Sequence, residues 1–178
     1  MLPDRLTRPV VRGACRRTAD SPTEAKQGFL VVMAWGYGRV GYGPFRVRRL
    51  LDAASGAGAT LQAAASALRE AGPVAAYAQL GDRGVGKLAG LGPAFGTKFL
   101  YFCSHSGDRP ALILDRLMAG WLRDNAGLAV NEVRWSASAY DRYLTSMYGW
   151  ANRLAVAAEE LEMCIFSEQA RLAGNQWA

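Results

Sequence analysis

The sequence predicts a mainly α protein, built as one compact helical domain, and three observations predict it. Ser21-Pro22-Thr23-Glu24 places serine at an N-cap, proline at the first helical position and glutamate three residues after the cap, directly before the apolar run Phe29–Ala34. Apolar residues then recur at helical rather than alternating spacing, with glycines between the stretches. Strand alternation is nearly absent. With 178 residues the chain can bury one sizeable core. In order, helices are expected from Ser21, over Phe45–Leu51, Leu61–Ala71 and Pro73–Leu80, and from Thr97 to Ser104. Residues Gly107–Leu114 read as extended or looped, and Asp115 as the cap of a helix reaching Asn125. Ser136–Ala173 reads as two helices or one bent helix, broken near Gly149 or Ala157. Residues 1–20, with Arg5, Arg8, Arg12, Arg16 and Arg17, read as a flexible basic arm, and 21–178 as the folded domain.

A formal net charge of +6 and a pI near 9.5 favour a polyanionic partner, because basic side chains on nucleic acid release condensed counterions. Of the basic residues only Lys26, Lys87 and Lys98 are lysines; the rest are arginines, a bias that a GC-rich genome also produces. No apolar run approaches the roughly eighteen residues of a membrane span, so no membrane association is expected. Cys15, Cys103, Cys164 and the single His105 are too few and too scattered for a tetrahedral metal site or a four-cysteine iron–sulfur cluster. No metal or cofactor is expected, and the cysteine usage suggests a reducing cytoplasm.

The most informative local feature is Leu91-Gly92-Pro93-Ala94-Phe95-Gly96-Thr97-Lys98, a glycine-bounded turn carrying a lysine, followed 17 residues later by Asp115. Taken singly, the lysine is a solvated charge and the aspartate a helix cap. Read as the start of a helix, however, the position sets Lys98 in a positive dipole field, and Phe95, Phe99, Leu100 and Phe102 surround it with apolar groups. Both effects favour the neutral amine, the form that attacks carbon.

The turn looks like a helix-hairpin-helix at about 83–104, and the chain from about 25 to 172 resembles the lysine-dependent DNA glycosylases of the 8-oxoguanine type. That resemblance implies a fold and an activity: eversion of a modified base from double-stranded DNA and its excision by a lysine nucleophile. Gly96-Thr97-Lys98 matches the family's hairpin and nucleophile, and Leu114-Asp115 its catalytic aspartate. Cys164-Ile165-Phe166-Ser167 is similar to the last helix, which implies Phe166 as the residue stacking on the base and Glu162, one turn earlier, as the reader of its edge. Tyr37 or Arg39 corresponds to the wedge that fills the vacated stack. Gly96, Thr97, Arg46, Arg48 and Arg49 are the expected contacts to backbone phosphates. The chain departs from the family in lacking room for an N-terminal β-rich domain. It also has Ala94 in place of a hairpin glycine, and a carboxylate, Glu162, where 8-oxoguanine readers use an amide.

The glycine- and aromatic-rich segment Trp35–Phe45 suggests a roomy pocket for a bulky base. With the small size of the chain, it points to a bacterial antiphage branch acting on bases such as glucosylated hydroxymethylcytosine. Host repair of 8-oxoguanine with strand nicking is the alternative, and a noncatalytic helix-hairpin-helix DNA-binding module the next. A monomer is expected.

Overall fold

The computed structural model describes residues 6–38, 43–52, 56–81, 88–104 and 109–174. They are helical with no strand among them, in the order α1 (Arg8–Ala14), α2 (Pro22–Tyr37), α3 (Gly43–Asp52), α4 (Ala57–Ala71), α5 (Pro73–Leu80), α6 (Pro93–Cys103), α7 (Arg116–Ala126), α8 (Ala137–Leu154) and α9 (Ala158–Leu172). No helix among these residues is long and apolar enough to cross a membrane.

The local signals explain the ends of several helices. The Ser21 side chain accepts from the Glu24 amide at 3.2 Å, Pro22 opens α2, and Asp115 accepts from the amides of Leu117 and Met118 to cap α7. The break in the C-terminal region falls after Leu154, where Ala155 takes the left-handed conformation with φ 54°, while Gly149 continues through α8.

Two expectations need correcting. Residues 8–14 of the supposed flexible arm are a helix packed on α2 and α6, with Val11, Cys15 and Thr18 buried behind it. The four-residue spacing of Val11 and Cys15 turns both apolar groups to one face, which gives the arm something to bury. The second correction concerns α6. It begins at Pro93 with Gly92 as its cap, so Lys98 stands in the second turn, beyond the reach of most of the terminal dipole field. Of the expected hairpin, residues 83–87 lie outside the described residues; Leu88–Gly92 lead into α6, with the Leu91 amide donating to the Leu88 carbonyl at 3.0 Å.

Helix α6 runs through the middle of the core. Its Phe99 meets Phe29 of α2 edge-on at 5.7 Å, and Phe102 meets Trp35 at 4.8 Å. On another face, Gly96 admits the Trp135 indole so closely that an added Cβ would lie 2.4 Å from Trp135 Cη2. That ring is held by Tyr77 at 4.7 Å and by its Nε1 donating to the Leu91 carbonyl at 3.3 Å. Gly96→Ala is therefore expected to lose about 2 to 3 kcal/mol of stability, read as a fall in the urea midpoint. A loss below about 0.5 kcal/mol would show that the indole moves freely.

Candidate active site

The stretch Ala111–Leu114 is neither helix nor strand yet wholly buried, so its backbone groups need partners from elsewhere. Side chains from two helices supply them. From α6, Ser104 Oγ accepts the Ala111 amide at 2.9 Å and Thr97 Oγ1 accepts the Leu114 amide at 3.0 Å. From α8, the hydroxyls of Tyr140 and Tyr143 donate to the carbonyls of Leu112 and Ile113 at 2.8 Å each, and Tyr148 donates to that of Pro110. Burial holds the Tyr140 and Tyr143 phenols well above their ordinary pKa, so they remain donors across the working pH range.

This latch sets the register of the site. Thr97 bonds Leu114, so their chain neighbours Lys98 and Asp115 fall side by side, with Nζ 3.0 Å from Oδ2. The pair is mostly shielded, with side-chain exposures of 12% and 15%. Asp115 divides its oxygens: Oδ1 caps α7 and Oδ2 meets the lysine. Carboxylate and ammonium are thus fixed by the second turn of α6, the cap of α7 and the buried segment between them rather than by a surface loop. Phe95 lies beneath, its ring centroid 5.6 Å from Lys98 Nζ, and Tyr37 packs on Phe95 at 4.5 Å. Gly36 lets the end of α2 approach; a Cβ there would lie 2.7 Å from Phe95 and 3.4 Å from the lysine stem.

Glu162 joins the same cluster from α9. It is only 1% exposed, and its pKa is pushed up to about 7 by burial first, against the lowering charge of Arg8, with the nearby Asp115 raising it further. The Ile113 amide and the Lys98 charge act in the lowering direction. Arg8 Nη2 lies 3.7 Å from Oε1, and Oε2 has no hydrogen-bond partner. Arg8 itself donates to the Tyr101 hydroxyl at 2.7 Å and lies over the Trp35 and Tyr101 rings.

The structure thus brings together Lys98, Asp115, Glu162 and, through Phe95, Tyr37. Phe166 follows Glu162 by one turn on α9 and is partly buried. Arg46, Arg48 and Arg49 are exposed on α3, whose Val47 and Leu50 face the core. Arg39 lies outside the described residues, as do residues 40–42 of the glycine-aromatic segment. Gly96 and Thr97 do not present themselves to a phosphate. The Gly96 amide is used within α6, bonding the Gly92 carbonyl at 3.0 Å, and Thr97 is fully buried, donating to the Pro93 carbonyl at 2.8 Å while it holds Leu114. Both serve the core and the latch instead.

Sequence reasoning missed Arg8, hidden among five arginines of the first twenty residues. A cavity of about 500 Å³ is lined by Tyr77, Gly81, Trp135, Ser136 and Ser138, but neither Lys98 nor Asp115 borders it, and it brings no charged group with it. The Lys98–Asp115 cluster is the better candidate for chemistry.

A family model described as "Putative 8-oxoguanine DNA glycosylase OGG-like protein" matches residues 2–166. The chain belongs to this family. No curated protein and no solved structure matches it. Membership accounts for the all-helical architecture of the described residues and carries the implication of DNA glycosylase activity with DNA as substrate. The match begins at residue 2, so α1 and Arg8 lie within the family's span.

Because the latch positions the pair, Thr97→Val tests it. The variant leaves the buried Leu114 amide without its acceptor, which costs about 1 to 3 kcal/mol. The expected result is a lower melting temperature together with weakened coupling of Lys98 to Asp115, seen as a change in the Lys98 ammonium NMR signal. An unchanged signal would show that the register is set elsewhere.

Proposed function

We propose that the protein is a DNA glycosylase in which Lys98 is the nucleophile and Asp115 its partner. The observation that carries the reading is the shielded 3.0 Å contact between Lys98 Nζ and Asp115 Oδ2, inside a chain of a glycosylase family. A base in duplex DNA is out of reach, so the nucleotide swings out of the stack at a cost of a few kcal/mol. Tyr37 or Arg39 fills the gap, and Arg46, Arg48 and Arg49 hold phosphates. Phe166 stacks on the base and Glu162 reads its edge.

Only the neutral amine attacks, so Lys98 first gives up a proton, and Asp115 stands within hydrogen-bond distance to accept it. The Nζ lone pair bonds to C1′ as the bond from C1′ to the base breaks. That bond's electron pair leaves with the base, which takes up a proton. Ring opening of the sugar gives an imine, and water then releases an abasic site and restores the amine. The Asp115 carboxylate also stabilises the positive charge that develops on the sugar. Elimination from the imine would add strand nicking.

Two classes of base fit the site. One is a bulky modified cytosine of phage DNA, such as glucosylated hydroxymethylcytosine, in an antiviral role; its support is the glycine- and aromatic-rich segment beginning at Trp35. The other is oxidised guanine, whose N–H-rich edge suits the Glu162 carboxylate. The test is incubation with duplexes carrying each base or none, with borohydride to reduce the imine. A covalent adduct on one modified duplex supports the reading. Strong binding with no adduct and no abasic site on any of them would leave only a noncatalytic DNA-binding module.

A further inference from the structure

A buried polar atom without a partner is rare in folded proteins, and Glu162 Oε2 is one. What surrounds it is informative. The Arg8 guanidinium, with Nη2 3.7 Å from Oε1, lies too far for a hydrogen bond. Its central carbon is 5.6 Å from the Trp35 ring centroid and 5.0 Å from that of Tyr101. Arg8 is therefore a flat, delocalised group set against two aromatic rings, with N–H groups turned toward a carboxylate. The guanidinium fork is also the fragment that guanine carries in its Watson–Crick edge, where N1–H and the exocyclic amino group project side by side.

We propose that the Arg8 guanidinium occupies the seat of the everted base in the DNA-free protein. The seat, formed by Trp35, Tyr101 and Glu162, would then select a guanine-type edge. This inference rests on the glycosylase reading above and narrows its substrate to the second class.

Two features favour the guanine edge over that of cytosine. An ionised Glu162 accepts from both N1–H and the amino group, whereas a cytosine edge offers it an amino donor beside a repelling acceptor. A neutral Glu162 can still pair with guanine, donating to O6 and accepting from N1–H. With its pKa near 7, the residue populates both forms under working conditions, and the guanine edge suits each. Arg8 is well placed to leave. It is the first residue of the seven-residue α1, 20% exposed, while Arg12 on the next turn keeps α1 attached through Glu159 at 2.6 Å.

The test measures binding of 9-methylguanine and 1-methylcytosine by calorimetry at pH 8, to the wild-type protein and to Arg8→Ala. Emptying the seat is expected to tighten 9-methylguanine binding by about tenfold or more, because the competent state no longer competes with a resident group. Binding of 1-methylcytosine should change little, and adding Glu162→Gln should remove the preference. Should Arg8→Ala fail to fold by circular dichroism, Arg8→Lys keeps a positive charge without the planar fork and should show the same direction of change. Binding of 9-methylguanine that is unchanged or weaker in the folded variant, or equal gains for both bases, would overturn the proposal. Borohydride trapping separates this from the underlying reading. A tenfold gain with no trapped imine on any duplex keeps the seat and removes the catalyst, whereas a trapped imine without the gain keeps the catalyst and removes the seat.

Discussion

Lys98→Ala is expected to abolish the borohydride-trapped adduct and to slow base release by about 10⁴-fold or more, since among the described residues Lys98 is the amine the site presents for imine formation. Stability should fall as well, by about 1 to 3 kcal/mol, because the mostly shielded Asp115 carboxylate loses its counter-charge while it still caps α7. The partner can be dissected more finely. Asp115 has two duties, capping α7 through Oδ1 and meeting Lys98 through Oδ2. Asparagine caps as well as aspartate, so Asp115→Asn should leave unfolding within about 0.5 kcal/mol of wild type. Its rate should nonetheless fall by about 10² to 10⁴, through loss of the charge and the proton acceptor. Asp115→Ala should lose the same activity and a further 1 kcal/mol or so of stability with the cap. If the asparagine variant kept full activity, Asp115 would be a helix cap and nothing more.

Glu162 gives the second large effect, and it appears in stability against pH. Burial raises its folded pKa from the ordinary 4.5 to about 7, so between those values the folded state binds a proton that the unfolded chain does not. Stability from this group is therefore full below about pH 4.5 and is lost as pH rises through 7. A shift of that size corresponds to roughly 3 kcal/mol, a large share of a domain's total stability. The wild-type protein should thus melt progressively lower from pH 5 to pH 8, once the exposed groups are accounted for. Glu162→Gln has the shape of the neutral acid and cannot ionise, so it should flatten that slope and raise the melting temperature at pH 8. A slope that survives the substitution would place the titration on another residue. Arg8→Met should steepen the decline, because it removes the cation that lowers the Glu162 pKa most.

How much of this was readable beforehand depends on the range over which each signal acts. The start of α2 is written in four consecutive residues, Ser21 to Glu24, and the cap of α7 in Asp115 itself, so both could be read directly. The pairing of Lys98 with Asp115 was reached through family resemblance, whereas its physical cause was not legible. That cause is the hydroxyl of Thr97, which looked like a phosphate contact because it follows a glycine in a turn. Its true partner, the Leu114 amide, is 17 residues away, and only folding brings them together. The tyrosines of α8 were equally opaque; the stretch from Ser136 reads only as helix, yet the hydroxyls of Tyr140 and Tyr143 hold the carbonyls of the buried segment. Gly96 read as a phosphate contact of the hairpin, whereas the indole it accommodates comes from Trp135, far along the chain. Arg8 was hidden for a different reason. Net basicity predicts a polyanion for all arginines alike, and nothing in the sequence separates the one that turns inward over Trp35 and Tyr101.

Peptide mapping of the borohydride-reduced protein–DNA adduct tests the central claim most directly. The chain contains only Lys26, Lys87 and Lys98, so the assignment by mass spectrometry is simple. The expected result is a single modified peptide spanning α6, with the sugar remnant on Lys98. An adduct on Lys26, Lys87 or the terminal amine, with Lys98 unmodified, would contradict it.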